Sequence, residues 1–171
     1  MTTAEFILVL VTLQRAGELV LSHYNTRRLM ARGAVEVAPR HYPFMVAAHA
    51  TWLISLWVLG HDRPINIGAL MFYLVLQGLR LWVMGTLGPR WTTRIIVLPG
   101  EKLVSAGPYR WLSHPNYAVV AGEIAMLPLA LGLPWLAVTF TILNAAVLFI
   151  RIRAENRALE VCREMTARAA P

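Results

Sequence analysis

Gly107-Pro108-Tyr109-Arg110-Trp111-Leu112-Ser113-His114-Pro115-Asn116-Tyr117 sets two prolines, an arginine and four ring-bearing polar or aromatic side chains between a basic loop and a long apolar run. A proline disfavours α geometry in the residue before it, so Gly107 and His114 are expected to be extended. Pro115 itself suits the first turn of a helix, where its missing N–H costs nothing. His114 therefore stands at the mouth of a helix that begins near Pro115 and runs into a membrane. The free backbone N–H groups and the positive dipole end of that helix face whatever lies beside the mouth.

Working outward, the composition is not that of a soluble domain. The 171 residues fit one domain, 1–171. Hydrophobic residues make up 57% and charged ones 15%, and the mean hydropathy is +0.55. These values define a polytopic membrane protein. The 16 Lys and Arg outnumber the 9 Asp and Glu. Because the charges sit between apolar runs, the excess reads as cytoplasmic loop charge and not as a nucleic-acid surface. The single Cys162 excludes an intrachain disulfide and a paired-cysteine metal site. The start, Met1-Thr2-Thr3-Ala4-Glu5, lacks the basic region of a signal peptide, so the first apolar run is expected to be retained.

Five apolar runs have spanning or near-spanning length: residues 4–21, 44–59, 65–87, 116–131 and 134–150. Leu131-Gly132-Leu133-Pro134 is a tight turn, which makes the last two runs a helical hairpin. The segment 22–42 carries Arg27, Arg28, Arg32 and Arg40, and 88–113 carries Arg90, Arg94, Lys102 and Arg110. Both are read as loops on the cytoplasmic side, with the N-terminus outside and the C-terminus inside. Beyond Ile150 the fifth run continues as a cytoplasmic helix, with Ile152, Leu159 and Cys162 at helical spacing. The expected fold is an all-α integral membrane bundle of five transmembrane helices, in a bacterial inner membrane.

Depth along these spans is informative. Counted at about 1.5 Å per residue, Arg15, Glu18, His49, Gln77, Arg80, Glu123 and Asn144 all fall in the inner half of the bilayer, while the outer halves are almost wholly apolar. An intramembrane charge costs about 2.5–3.5 kcal/mol even on the lenient insertion scale, so such groups face the interior and pair. Arg15 and Arg80 can balance Glu18 and Glu123. Polar groups from every span at one depth predict a substrate cavity open to the cytoplasm.

Gly107-x-Tyr109-Arg110, then His114-Pro115-x-Tyr117, then Arg151-Ile152-x-x-Glu155-Asn156 resembles the signature of the isoprenylcysteine carboxyl methyltransferase family. The likeness covers residues 103–159. The family commonly has Arg where this chain has Ser113, and a second Glu where it has Asn156. The resemblance implies an integral membrane enzyme that uses S-adenosylmethionine, with the cofactor-binding part at about 97–160. A site for this cofactor needs an aromatic or apolar slot, hydrogen-bond partners for adenine and ribose, and opposite charges for its amino acid. Leu103, Val104, Gly107 and Tyr109 resemble the adenine-side wall. The helix mouth at His114 and Pro115 and the Arg110 guanidinium suit the cofactor carboxylate. Tyr109 and Tyr117 offer aromatic surface, and Glu155 and Asn156 suit its ammonium or ribose.

His114, Arg151 and Glu155 are the catalytic candidates, and His114 leads for proton handling because imidazole titrates near neutrality. Arg151 and Glu155, four residues apart, are able to face one side of a helix. No metal is implied, since a sulfonium already activates its methyl group, and His23, His41 and His61 are too scattered to form a site. The acceptor is a lipophilic small molecule that enters from membrane lipid. The resemblance to small bacterial members favours the hydroxyl of a long-chain alkylpyrone, with a prenylcysteine carboxylate second. Two other classes fit parts of the pattern: a nicotinamide-dependent membrane reductase related to sterol reductases, and a non-catalytic membrane subunit.

Overall fold

The computed structural model describes residues 1–39, 42–101 and 103–169, with side chains as far as Ala158. Arg40, His41 and Lys102, and the side chains of Leu159 and Cys162, lie outside the described residues.

The described residues form five α-helices, α1 (Thr3–Ala31), α2 (Tyr42–Gly60), α3 (Ile67–Leu87), α4 (Pro115–Ala130) and α5 (Pro134–Ala169). Their boundaries have local causes. Thr2 and Glu5 close a capping box on α1, with Glu5 N–H donating to Thr2 Oγ1 at 3.0 Å and Thr2 N–H to Glu5 Oε2 at 2.8 Å. Asn66 caps α3 by accepting from Ala69 N–H at 3.0 Å. Pro115 opens α4, with His114 as the residue before it, as the sequence predicts. The expected hairpin between α4 and α5 is present. Gly132 takes a left-handed φ of +67° in its turn, and Leu133 N–H closes back on Pro128 O at 2.8 Å. The final apolar run and the charged tail are one continuous helix of 36 residues.

Two features depart from the expectation. The segment 22–42 is not all loop, because α1 runs on to Ala31. Its buried stripe of Ala4, Leu8, Val11 and Glu18 continues unbroken through Ser22, Asn25 and Leu29, so packing sustains the helix beyond its apolar part. The all-α bundle also carries a short antiparallel pair, β1 (Val35–Glu36) with β2 (Ile96–Val97), in register Val35 to Val97. The β-branched run Ile95-Ile96-Val97 suits such a ladder. Arg94 reinforces it by donating to both oxygens of Glu36 at 2.7 and 3.0 Å.

Among the described residues, three helices are long and apolar enough to cross a membrane: Tyr42–Gly60, Ile67–Arg90 and Pro134–Ala158. α1 is not among them, and α4 has only 16 residues. The helices alternate in direction. Thr2 Oγ1 donates to His61 O at 2.6 Å and Asn66 N–H to Ala130 O at 2.8 Å, which gathers the start of α1 and two turns at one end. That end holds the apolar core, in which Leu8, Trp52, Leu56, Tyr73, Leu127 and Phe140 interlock. The opposite end gathers the close of α1, the β pair and the start of α4, and it contains the buried polar groups.

Candidate functional site

Arg15, Glu18, Arg80 and Glu123 form one closed ring. Arg15 donates to Glu18 at 2.9 Å and to Glu123 at 3.0 Å. Arg80 grips Glu18 through Nε and Nη2 and reaches Glu123 through Nη1 at 2.8 Å. Gln77 donates to Glu123 Oε1 at 2.8 Å. Gln14 spans the remaining gap, donating to Glu18 at 2.9 Å and to Gln77 at 2.7 Å. The two guanidinium charges cancel the two carboxylates, and α1, α3 and α4 are tied together through groups that hydrocarbon would reject. Each carboxylate is nearly inaccessible, Glu18 at 6% and Glu123 at 2% exposure.

Beside the ring lies a cavity of about 340 Å³. That volume is within the range of small-molecule sites, roughly 300–1,000 Å³. Its walls are mostly apolar, from Leu53, Val120, Ile124, Val147 and Leu148, and Arg15, Glu18, Arg80 and Glu123 supply one polar face. His49 from α2 and Asn144 from α5 also line it, as do Asn116, Tyr117 and Arg151. Six of the seven expected cavity residues therefore meet in one hollow. Gln77 does not. It lines a separate groove with Gln14, Gly17 and Leu21, and touches the cavity only through Glu123.

The second group gathers at the mouth of α4. The His114 ring stacks on Tyr117 with centroids 5.4 Å apart. His114 Nε2 meets Asn156 Oδ1 at 3.1 Å, and its Nδ1 lies 4.0 Å from Glu155. The Tyr117 hydroxyl donates to Glu155, and the Arg151 guanidinium lies 5.4 Å above the Tyr117 ring. Arg151 and Glu155 thus share one side of α5, but Tyr117 stands between them and they form no ion pair. Arg151 donates to Thr93 O at 2.9 Å and contacts Met45 sulfur. Among the described residues no carboxylate pairs with it. His114 itself does not line the cavity. Tyr117 and Arg151 are shared by the two groups and join them.

The loop residues are positioned less closely. Tyr109 is half-buried, and burial, aided by the nearby Glu155 charge, pushes its hydroxyl up to about 12, so it remains a hydrogen-bond donor at neutral pH. Gly107 is not extended. Its φ is +55°, and α3 passes so close that a Cβ there would lie 2.5 Å from Thr86 Oγ1, so glycine suits the position on both counts. Pro108 is buried behind it. Val104 is half-buried, whereas Leu103 and Arg110 are exposed and make no polar contact with the His114 group.

Sequence reading overlooked Gln14, Asn116 and the segment Trp91-Thr92-Thr93, all of which touch the ring or the cavity. Gln14 carried a signal, since it precedes Glu18 by one helical turn. The seating of Trp91–Thr93 did not. It depends on Asn25 Nδ2 donating to Trp91 O at 2.8 Å and Ser22 accepting from Thr93 N–H at 2.9 Å. No group of three potential metal ligands occurs among the described residues.

The helical bundle thus has a mostly apolar cavity with a charge-paired polar ring at one end, flanked by this histidine–tyrosine–glutamate cluster. The family model of isoprenylcysteine carboxyl methyltransferases matches residues 69–161, more than half of the chain, and the chain belongs to that family. It is 36% identical over 159 residues to the uncharacterized protein YpbQ of Bacillus subtilis, covering 90% of this chain and 95% of that one. An uncharacterized protein of Haemophilus influenzae is 20% identical over 151 residues, 85% of this chain and 88% of its own. No solved structure matches.

Proposed function

We propose that the protein is a membrane methyltransferase that moves a methyl group from S-adenosylmethionine to an oxygen of a lipophilic acceptor. Family membership supports the reaction class. The observation that carries the reading is the junction at Tyr117 and Arg151, where a cluster suited to a zwitterionic cofactor opens onto an apolar cavity with a charge-neutral polar face.

The residues fit the cofactor. Arg151 is buried, has no carboxylate partner among the described residues and leaves its Nε unbonded there, which suits the cofactor's carboxylate. Glu155 and Asn156, held by Tyr117 and His114, suit its ammonium or ribose. Asn116 Oδ1 is buried without a partner and adds an acceptor. Tyr109 and the backbone at Gly107 form the adenine side of this reading, with Leu103, Val104 and Arg110 at its rim and Pro115 fixing the helix mouth. The cofactor supplies an activated methyl group, and the protein's share is to align the acceptor oxygen, exclude water and receive its proton. His114 has both ring nitrogens turned toward Asn156 and Glu155, so its role here is to hold the cofactor-binding groups.

The cavity supports a neutral acceptor. Its ring of two arginines and two glutamates is self-compensated, which leaves the apolar walls to receive a long chain. The favoured acceptor is the hydroxyl of a long-chain alkylpyrone, with a prenylcysteine carboxylate second. The reading includes five spans in a bacterial inner membrane, N-terminus outside and site toward the cytoplasm. It is supported by the alternating helices and by the arginines at the polar end. Purified protein incubated with radiolabelled S-adenosylmethionine and either acceptor tests it. The label is expected in the alkylpyrone. Label in neither acceptor, nor in host lipid extract, contradicts the reading.

A further inference from the structure

We propose that His49 is the base that takes the acceptor's hydroxyl proton and that Asn144 orients the acceptor beside it. The inference rests on the methyltransferase reading and concerns the cavity, not the His114 cluster.

The tautomer of His49 follows from its local bonding. On α2 its Nδ1 lies 2.9 Å from the Met45 carbonyl, one helical turn back. A carbonyl oxygen only accepts, so Nδ1 carries the hydrogen of the neutral ring and Nε2 bears the lone pair. No described residue bonds Nε2, and the ring lines the cavity. His114 offers no such nitrogen to the cavity, because Tyr117 stands between. The five charged groups that line the cavity with His49 come from four helices: Arg15 and Glu18 from α1, Arg80 from α3, Glu123 from α4 and Arg151 from α5. Arg15 and Arg80 are cancelled by Glu18 and Glu123, and in this reading Arg151 answers the cofactor's carboxylate, which leaves His49 Nε2 as an open, uncharged proton acceptor in the cavity wall.

Asn144 supplies the second half. It is 5% exposed, and neither its Oδ1 nor its Nδ2 has a hydrogen-bond partner among the described residues. Buried amides are almost always bonded, so one left open in a cavity wall is complementary to something that enters. It shows a donor and an acceptor side by side. The matching head group carries a carbonyl and a hydroxyl close together, on a molecule whose remainder fills the apolar walls. A carboxylate accepts only, and would set its charge against Oδ1. In the reaction the hydroxyl proton passes to His49 Nε2 and then to water. The freed oxygen pair forms the new O–CH₃ bond, and the electron pair of the broken bond stays on the donor's sulfur.

The test uses full-length protein in detergent, with a hydroxypyrone bearing a long alkyl chain as the probe. Binding is followed without cofactor through fluorescence of Trp52, which lines the cavity. H49Q is expected to bind the pyrone as the wild type does, yet turn over about 100-fold or more slowly and lose the rise of rate with pH that deprotonation of the His49 ring gives. H49A is expected to regain turnover with added imidazole, so the proposal does not hang on one variant. N144L is expected to weaken pyrone binding about tenfold or more, with affinity for S-adenosylmethionine unchanged. H49Q turnover and pH profile equal to wild type, or no imidazole rescue of folded H49A, overturns the role of His49. Undiminished binding in N144L overturns that of Asn144. Wild-type protein that transfers no methyl to any acceptor instead overturns the methyltransferase reading, and this inference with it.

Discussion

Arg80 grips both carboxylate oxygens of Glu18, through Nε at 2.5 Å and Nη2 at 2.6 Å, and so fastens α3 to α1 in the polar half of the bundle. The fork is planar and bidentate, and neither partner is more than 7% exposed. Removing one member leaves the other charge stranded, which costs about 3–5 kcal/mol for a buried pair. Glu18→Gln or Arg80→Met is therefore expected to lower the melting temperature in detergent strongly. Arg80→Lys keeps the charge but loses the fork, and is expected to fall between them and the wild type. Added salt should not reproduce the effect, because the ring is shielded from ions.

Gly107 has a left-handed φ and sits against Thr86, so Gly107→Ala carries two separable penalties. The backbone strain is on the order of 1 kcal/mol and the clash adds to it. Thr86→Ala removes the clash alone. Thermal unfolding of the single and double variants is expected to show partial, not full, recovery in the double.

His114 bonds Asn156 and stacks on Tyr117 at the edge of the fold, away from the apolar core. His114→Ala is expected to slow methyl transfer about tenfold or more at limiting S-adenosylmethionine while leaving the melting temperature within about 2 °C of the wild type. Because the residue holds the cofactor groups, the loss should appear as weaker S-adenosylmethionine binding by equilibrium dialysis, by about tenfold or more. Near-normal turnover refutes the assignment.

Asn25 is buried, and its side chain holds the Trp91 carbonyl. Asn25→Leu leaves that carbonyl unpaired, at about 1–3 kcal/mol. Hydrogen exchange is expected to quicken in residues 91–97, which begin with the cavity-lining Trp91, Thr92 and Thr93, and to stay slow in α2 and α5.

The polar ring was legible because depth along a helix is one-dimensional arithmetic. Arg15, Glu18, Arg80 and Glu123 lie at one level by counting alone, and burial then forces opposite charges together. Counting gives depth but not azimuth, so it did not separate Gln77, which faces a neighbouring groove, from Asn144, which faces the cavity. Pro115 at the head of α4 was legible from proline's own geometry. The left-handed φ of Gly107 and its packing against Thr86 are features of the turn and its tertiary neighbour, which the rule for residues before proline does not contain. The Val35–Val97 pairing is too short to leave a pattern. Arg151 and Glu155 share one side of α5, as their spacing allows, but spacing does not show that Tyr117 takes the carboxylate's hydrogen bond and the arginine's face at once. A tautomer such as that of His49 depends on where a backbone carbonyl sits, which spacing does not state.

Cofactor choice tests the central claim most directly. Calorimetric titration of the purified protein with S-adenosylmethionine and, separately, with NADPH is expected to give saturable binding of the first alone, lost in Arg151→Ala. Binding of NADPH with none of S-adenosylmethionine contradicts the account.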